Sequence, residues 1–295
     1  MRAASNASYG ALLDAVRGVH WQARRAVANA APGLHRSTQR GSSAEFTEYR
    51  LYRQGDDPRR LDWRLLARSD RPYIRLATDR AILPTTVVLD ASPSMAFPVA
   101  TRDKWRLAQE IAIGLAAVVH GDGDPVGVAV HDASGNVRVL APRTRRGVVA
   151  EVTQVVADTL PDTSAALAPI VATLRTPRIA IITDLLGDAD ELLNAVRVHG
   201  IAHGEVHLVH IVAREEIDPP RRPIMAADPE APGLRRLLAD PTREPYQRAF
   251  ADWRAEMARA WRTSGATYLE VVTGETAAHA VRRIVDQSAV AGGAR

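Results

Sequence analysis

The feature that most constrains this chain is an apolar run over residues 87–89 that leads directly into the pattern Asp-x-Ser-x-Ser. The run predicts a buried strand, which places Asp90, Ser92 and Ser94 at its carboxyl end. Residues two apart on extended backbone point to the same side, so both hydroxyls can face one point. Carboxylate and hydroxyl oxygens are ligands that a small hard cation such as Mg²⁺ accepts. The alternative is that the serines cap a following helix and that Asp90 only ends the strand.

A second apolar strand, predicted over residues 178–183, also ends in an acid, Asp184. Because neighbouring parallel strands end at the same edge of a sheet, Asp184 is expected beside Asp90. Between the two strands, Thr163 offers a third hydroxyl, with Asp162 as the competing ligand. This order of Asp-x-Ser-x-Ser, Thr and Asp resembles the metal-ion-dependent adhesion site of von Willebrand factor A domains. The resemblance implies that these residues hold Mg²⁺, with Mn²⁺ as the alternative ion.

The composition indicates a protein with an ordinary hydrophobic core. Of 295 residues, 46% are hydrophobic and 24% are charged, which is typical of a soluble globular chain. The net charge of +4 is too small to indicate a nucleic-acid-binding protein. Cysteine is absent, which excludes disulfides and thiolate metal sites and suits a cytoplasmic location. No stretch approaches the roughly 20 apolar residues of a membrane span, so neither a span nor export is predicted.

Strands and helices alternate from residue 85 onward. This alternation predicts an α/β fold with a doubly wound, mostly parallel sheet and helices on both faces. The adhesion-site resemblance implies that the fold is von Willebrand factor A-like. Strands are predicted at 85–90, 126–130, 137–140, 178–183, 206–212 and 267–272, and helices at 103–120, 146–158, 165–174, 188–198, 244–263 and 276–288.

The chain is expected to have two parts. Residues 1–84 are predicted to form an N-terminal amphipathic helix, followed by a short β-hairpin segment that packs on the rest. Residues 85–290 are predicted to form the α/β domain. Within it, residues 213–245 are rich in Pro, Arg and Asp and are interpreted as a surface excursion.

A second motif precedes the first core strand, with the form Arg-x-Tyr-x-x-Gly-Asp-Asp-x-Arg-x-x-Asp-Trp. Together with the Asp90 strand, it resembles the bacterial family catalogued as domain of unknown function 58, over nearly the whole chain. Members of that family carry a von Willebrand factor A-like domain and are commonly encoded beside MoxR-type AAA+ ATPases. Many have N-terminal membrane helices, and this chain is expected to be a member without them. The motif residues are Arg50, Tyr52, Gly55, Asp56, Asp57, Arg59, Asp62 and Trp63.

Two roles are open for this motif. Its acids and arginines can pair and lock a compact hairpin, with Gly55 supplying a turn. Alternatively, Trp63 and Tyr73 among arginines have the composition of a surface that faces a protein partner. A nucleic-acid surface is not favoured, because the interleaved acids would repel phosphate.

Enzyme motifs are lacking. The sequence has neither a Gly-x-Ser-x-Gly elbow nor a Gly-x-x-x-x-Gly-Lys-Ser/Thr loop. Four histidines between positions 199 and 210 do not favour zinc, because His207 and His210 face opposite sides of a predicted strand. The enzymatic alternative is a metal-dependent phosphatase or nuclease that uses Asp90 and Asp184.

The expected function is therefore a non-enzymatic, metal-dependent protein interaction module. Because hydroxyl ligands are neutral, the ion would keep positive charge and an open position for a carboxylate of a partner. The family resemblance implies that the partner is a MoxR-type AAA+ ATPase or its client, with this chain as an adaptor in the assembly or maturation of protein complexes. The other alternative is a structural scaffold that holds no metal.

Overall fold

The structure is a computed structural model that describes residues 2–23, 32–36, 45–54, 56, 58, 61–78, 80–132, 134–162, 165–202, 204–228 and 233–292. The chain divides into two compact units, residues 25–83 and residues 1–24 with 84–295. Helix α1 (Arg2–Ala15) thus belongs to the larger unit, whereas the sequence grouped it with the segment up to residue 84. The physical reason is that Leu12 and Val16 are buried in the core of the larger unit.

The smaller unit contains two antiparallel strand pairs and one short helix. Its elements are β1 (Pro32–Arg36), β2 (Glu45–Leu51), α2 (Trp63–Ser69), β3 (Tyr73–Thr78) and β4 (Arg80–Ala81). Strand β2 pairs with β3, and β1 pairs with β4. The sequence predicted short strands here but not α2. Asp62 caps the start of this helix, because its side chain accepts hydrogen bonds from the amides of Arg64 and Leu65. Asp70, with a left-handed φ of 54°, caps its end.

A six-stranded sheet forms the centre of the larger unit. Its order is β12-β9-β8-β5-β6-β7, and every neighbouring pair is parallel except β6 with β7. The predicted α/β class with a mostly parallel sheet is confirmed. The six strands are β5 (Thr85–Leu89), β6 (Val126–His131), β7 (Val137–Arg143), β8 (Arg178–Thr183), β9 (Glu205–Val212) and β12 (Thr267–Val272). Strands β10 (Ile224–Ala227) and β11 (Arg235–Leu238) form a separate antiparallel hairpin.

Helices cover both faces of this sheet. The helices that follow β4 in the chain are α3 (Asp103–Gly121), α4 (Val148–Ala157), α5 (Ala168–Thr173), α6 (Ala189–Ala202), α7 (Arg214–Ile217), α8 (Asp240–Thr263) and α9 (Ala277–Gly292). Side chains of β5 alternate between two buried clusters. Val87 and Leu89 pack with α1, α3, α4 and α9, whereas Val88 packs with α5, α6 and α8.

The order of the strands reverses at β5, which lies between β6 and β8. In open α/β sheets, ligands bind at the carboxyl ends of the strands where the order reverses. Leu89 pairs with Ile182, so β5 and β8 end side by side. Asp90 and Asp184 therefore leave the sheet at the same edge and at the position that favours ligand binding.

The segment 213–245 follows β9 and contains α7, the hairpin β10–β11 and the first turn of α8. Helix α8 starts at residue 240 rather than near 244 as the sequence indicated. Pro241 is tolerated in a first helical turn because no intrahelical bond is lost there. The hydroxyl of Thr242 accepts a hydrogen bond from the amide of Ala239 at 3.0 Å, which stabilises the earlier start.

Candidate metal site

Asp90 follows β5 and is buried, with 7% of its surface exposed. Its Oδ1 accepts a hydrogen bond from the Ser92 amide at 2.9 Å, and its Oδ2 accepts one from the Thr183 hydroxyl at 2.5 Å. The Thr183 oxygen in turn accepts from the Leu185 amide at 3.0 Å. These bonds hold the Asp90 carboxylate at the edge of the sheet.

Ser92 and Ser94 bring their hydroxyls to the same place. The two Oγ atoms lie 3.0 Å apart, and Ser94 Oγ donates to Asp184 Oδ1 at 3.1 Å. Ser92 precedes a single 3₁₀ turn over Pro93–Ala96 but makes no side-chain capping bond to it, which disfavours the capping alternative. Four of the expected ligands, Asp90, Ser92, Ser94 and Asp184, thus form one cluster.

The segment between α4 and α5, which carries Asp162 and Thr163, contributes less to the cluster. Thr163 lies outside the described residues. Asp162, its competitor, is exposed to solvent. A cavity of about 90 Å³ beside Asp90 and Ser92 is also lined by Asp188, an acid that the sequence patterns did not indicate. A cavity of this size can hold several water molecules.

Lys104 was not predicted at the site. This residue of α3 is fully buried, and its Nζ lies 2.6 Å from Asp184 Oδ2 and 2.8 Å from Glu216 Oε1. Burial by itself would lower the pKa of the ammonium, but the attraction of Asp184 and Glu216 outweighs burial and raises the pKa of Lys104 above its ordinary value. Lys104 is therefore a charged group inside the protein.

Asp90 has a different electrostatic environment. Burial, with the nearby charge of Asp184, raises the pKa of Asp90 to about 6, and hydrogen bonds from Thr183 and Ser92 offset only part of that rise. In the described part of the chain, no basic side chain forms an ion pair with Asp90. Lys104 pairs with Asp184 and Glu216, whereas Asp90 lies beside the carboxylate of Asp184 without such a pair.

The chemistry of this donor set fits a small hard cation. Two carboxylates and two hydroxyls offer oxygen ligands only, which suits Mg²⁺ or Mn²⁺ and does not suit zinc. Over the ranges that the structure describes, no three or more His, Cys, Asp or Glu side chains are grouped to hold a metal ion. The cluster depends on serine hydroxyls, which lie outside those four residue types.

The two strand histidines face different neighbours. His210 Nε2 lies 3.1 Å from the carbonyl oxygen of Asp184, and its Nδ1 lies 2.6 Å from the Tyr268 hydroxyl. Because a carbonyl can only accept, Nε2 carries the proton and Nδ1 accepts from Tyr268. Burial lowers the pKa of His210 to about 4, so it is neutral. His207 instead packs against the ring of Trp21, with centroids 4.9 Å apart, so the two histidines do not converge.

The motif of the smaller unit makes local contacts. Arg50 Nη2 donates to Asp56 Oδ1 at 2.7 Å, and the Arg53 amide donates to Asp56 Oδ2 at 2.8 Å. These two bonds hold the pKa of Asp56 below its usual value. Asp62 caps α2 and also accepts from the Tyr49 hydroxyl at 3.0 Å. Such contacts are those that the structural-locking interpretation requires.

Of the other motif residues, the structure describes Tyr52 and Trp63. The Tyr52 amide donates to the Pro72 carbonyl at 2.8 Å, beyond the last pair of the β2–β3 ladder. Trp63 has 65% of its surface exposed, so the partner-facing interpretation stays open for this residue. Gly55, Asp57 and Arg59 lie outside the described residues.

The fold and the site define an α/β protein with a mostly parallel sheet and a cluster of oxygen ligands at the carboxyl edge of that sheet. The chain belongs to the DUF58 family, because the family model described as "Protein of unknown function DUF58" matches residues 48–256. The family resemblance noted from the sequence is confirmed. Among the helices that the structure describes, none combines the length and apolar character needed to cross a bilayer.

Related proteins extend over most of the chain. "Uncharacterized protein Mb1516" of Mycobacterium bovis and "Uncharacterized protein Rv1480" of Mycobacterium tuberculosis are each 31% identical to it over 252 residues, which cover 82% of this chain and 78% of the relative.

Solved structures are more distant. "Conserved hypothetical protein BatB" from Bacteroides thetaiotaomicron has 15% identity and a TM-score of 0.44. An "aerotolerance-related membrane protein" from Bacteroides fragilis has 17% identity and a TM-score of 0.45. Each match covers 70% of this chain and 99% of the other.

Proposed function

We propose that this protein is a non-enzymatic interaction module with a von Willebrand factor A-like fold, which binds a carboxylate of a protein partner through Mg²⁺. The observation that carries the proposal is the environment of Asp90. This carboxylate is buried beside two serine hydroxyls and a cavity, and it has no ion-pair partner in the described part of the chain. A buried charge without a counter-charge is costly, and a divalent cation would remove that cost.

The residues of the chain would act together as ligands and as supports. Thr183 and the Ser92 amide hold Asp90 in place, while the hydroxyls of Ser92 and Ser94 add neutral oxygens. The proposed ligand set also includes Thr163, the third hydroxyl expected from the sequence. When bound, Mg²⁺, or Mn²⁺ in its place, would supply positive charge and an open coordination position for an Asp or Glu of the partner.

The family resemblance supports a MoxR-type AAA+ ATPase, or a client of that ATPase, as the partner. This chain would then be an adaptor in the assembly or maturation of protein complexes. An ATP-driven partner requires nucleotide, so the proposal places the complex in the cytoplasm. No catalytic reaction is assigned to the site.

The experiment that tests this proposal is capture of the purified MoxR-type ATPase from the same genome by the immobilised protein, with Mg²⁺ or with EDTA. The test variant is Ser92→Ala/Ser94→Ala. The control is Ser134→Ala, which changes an exposed serine in the β6–β7 turn. We expect capture only by the native protein and the control, and only with Mg²⁺. EDTA removes the ion, and the double substitution removes the two hydroxyls that would bind it.

Other results would favour the alternatives. Capture that ignores both EDTA and the serine substitutions would contradict the proposal. Hydrolysis of a phosphate ester or of DNA that requires Mg²⁺ and Asp90 would instead support the phosphatase or nuclease alternative. If Asp90→Ala unfolds and the native protein takes up no metal, the results would support the metal-free scaffold.

A further inference from the structure

The chain contains 38 basic side chains, and only one of them, Lys104, is a lysine. That single lysine is fully buried, and it lies beside the candidate metal site. An ammonium is a compact point charge, whereas a guanidinium is a wide planar fork. The compact ammonium of Lys104 therefore lies inside the protein, next to the residues proposed to bind Mg²⁺.

Both oxygens of Asp184 are already engaged. Oδ1 accepts from Ser94 Oγ and from the Leu186 amide, each at 3.1 Å, and Oδ2 accepts from Lys104 Nζ at 2.6 Å. Asp90 differs, because its carboxylate accepts from an amide and from hydroxyls and pairs with no basic group in the described ranges. The two acids at this edge are thus not equivalent.

We propose that Lys104 is a resident cation that keeps Asp184 from binding the metal directly and thereby weakens the affinity of the site for Mg²⁺. This inference rests on the proposed function. The ion would be held from the side of Asp90, Ser92 and Ser94, and Asp184 would orient Ser94 rather than act as a ligand. Lys104 is a positioning residue in this scheme, because it acts on the metal through Asp184 and through its own charge.

Two physical effects give the direction of the expected change. An ammonium near a divalent cation repels it, and the repulsion is strong because Lys104 is shielded from water. The ammonium also occupies the Asp184 oxygen that could otherwise bind the ion. Glu216 works in the opposite direction, because its carboxylate lies 2.8 Å from Lys104 Nζ and partly offsets the positive charge.

The test is a calorimetric titration of the purified full chain with Mg²⁺ alone. We expect Lys104→Met to bind Mg²⁺ roughly tenfold more tightly than the native protein, or more. The matched control is Arg106→Met on the same helix, which removes a charge that is paired with Asp103 at the surface. The control should change the dissociation constant by less than about twofold, because solvent screens exposed charges.

A second variant predicts the opposite sign and keeps the lysine. Glu216→Gln leaves Lys104 with one carboxylate partner while an amide oxygen can still accept from the Ala213 amide. We expect Mg²⁺ binding several-fold weaker than in the native protein, because the substitution removes one negative charge from beside the site and leaves less of the Lys104 charge offset. This variant also keeps the inference testable if Lys104→Met fails to fold.

The absence of cysteine permits a rescue experiment. Lys104→Cys would be the only thiol in the chain, and 2-bromoethylamine under denaturing conditions converts it to an aminoethyl thioether that restores an ammonium at nearly the length of lysine. After refolding, the alkylated variant should return to the native Mg²⁺ affinity. The same variant alkylated with iodoacetamide, which adds no positive charge, should keep the tighter affinity of Lys104→Met.

The outcomes separate this inference from the proposed function. Native binding of Mg²⁺ with equal or weaker binding by folded Lys104→Met would overturn the role of Lys104 and leave the metal site intact. Binding by Lys104→Met alone would support the role of Lys104 and overturn metal binding by the native chain. Lack of binding by both proteins would overturn both ideas.

Discussion

The ammonium of Lys104 lies 2.6 Å from Oδ2 of Asp184, although the two residues are 80 positions apart in the sequence. At most 1% of either side chain is exposed. The contact joins helix α3 to the carboxyl end of β8 at the edge where the order of the strands reverses. One acid of the site is thereby neutralised inside the protein. Asp90, the other acid, is the one that a metal ion would neutralise.

The serine hydroxyls give the first prediction. Ser92→Ala/Ser94→Ala should abolish binding of Mn²⁺, measured by the loss of free-ion signal in electron paramagnetic resonance. The free energy of unfolding in EDTA should fall by no more than about 2 kcal/mol, because each hydroxyl contributes about one net hydrogen bond. Mn²⁺ binding that survives in the double variant would show that the serines are not ligands.

The second prediction concerns pH and stability without metal. The pKa of Asp90 is raised from 3.8 to about 6 in the folded protein, so the folded state binds this proton more tightly than the unfolded chain does. The free energy of unfolding should therefore decrease as pH rises from about 4 to about 6, by an amount on the order of 3 kcal/mol from this group.

Asp90→Asn provides the matching test in EDTA. Because asparagine does not titrate, the variant should be more stable than the native protein at pH 7.5, and the difference should disappear near pH 4. Urea denaturation at the two pH values measures it. A difference that is the same at both values would contradict the raised pKa of Asp90.

The sequence predicted much of the larger unit because its strands are short apolar runs that end in recognisable residues. The structure has β8 at Arg178–Thr183 and β12 at Thr267–Val272, the bounds that the hydrophobic pattern indicated. The same pattern put Asp90 and Asp184 at one edge, because parallel strands end together. Local sequence therefore carried the information for this edge of the sheet.

The residues that were missed depend on contacts that are distant in sequence. Lys104 reaches Asp184 and Glu216 only after α3, β8 and α7 have packed, and no local pattern encodes that meeting. The one available signal was compositional, since Lys104 is the single lysine in a chain rich in arginine. Helix α2 was missed because seven residues are too few for a clear helical period.

The third prediction tests the role of the motif in the smaller unit. Asp62→Ala removes the cap of α2 and should destabilise that helix by about 1 kcal/mol. Hydrogen exchange at the amides of residues 63–69 should become faster, and the exposed helix residue Arg64→Ala serves as the control.

Trp63→Ala separates the two interpretations of the motif. Because Trp63 is 65% exposed, we expect its removal to leave hydrogen exchange in α2 unchanged. A loss of partner capture by Trp63→Ala with an intact fold would favour the partner-facing interpretation. A loss of protection in α2 would show instead that the tryptophan is part of the structural lock.

The fourth prediction concerns the antiparallel edge of the main sheet. A Cβ at Gly127 would lie 2.2 Å from the Leu140 carbonyl oxygen, where the β6–β7 register shifts. Gly127→Ala should therefore lower the free energy of unfolding by several kcal/mol, since backbone must move. Gly121→Ala, with open space around its Cβ at the end of α3, should leave stability unchanged or slightly higher in thermal denaturation.

The measurement that tests the central claim most directly is the anomalous diffraction of Mn²⁺ in crystals of the purified protein. We expect one anomalous peak at the carboxyl edge of the sheet, coordinated by Asp90, Ser92 and Ser94, with Lys104 still paired to Asp184. The lack of an anomalous peak at this edge, in crystals soaked at millimolar Mn²⁺ above pH 7, would contradict the proposed metal site.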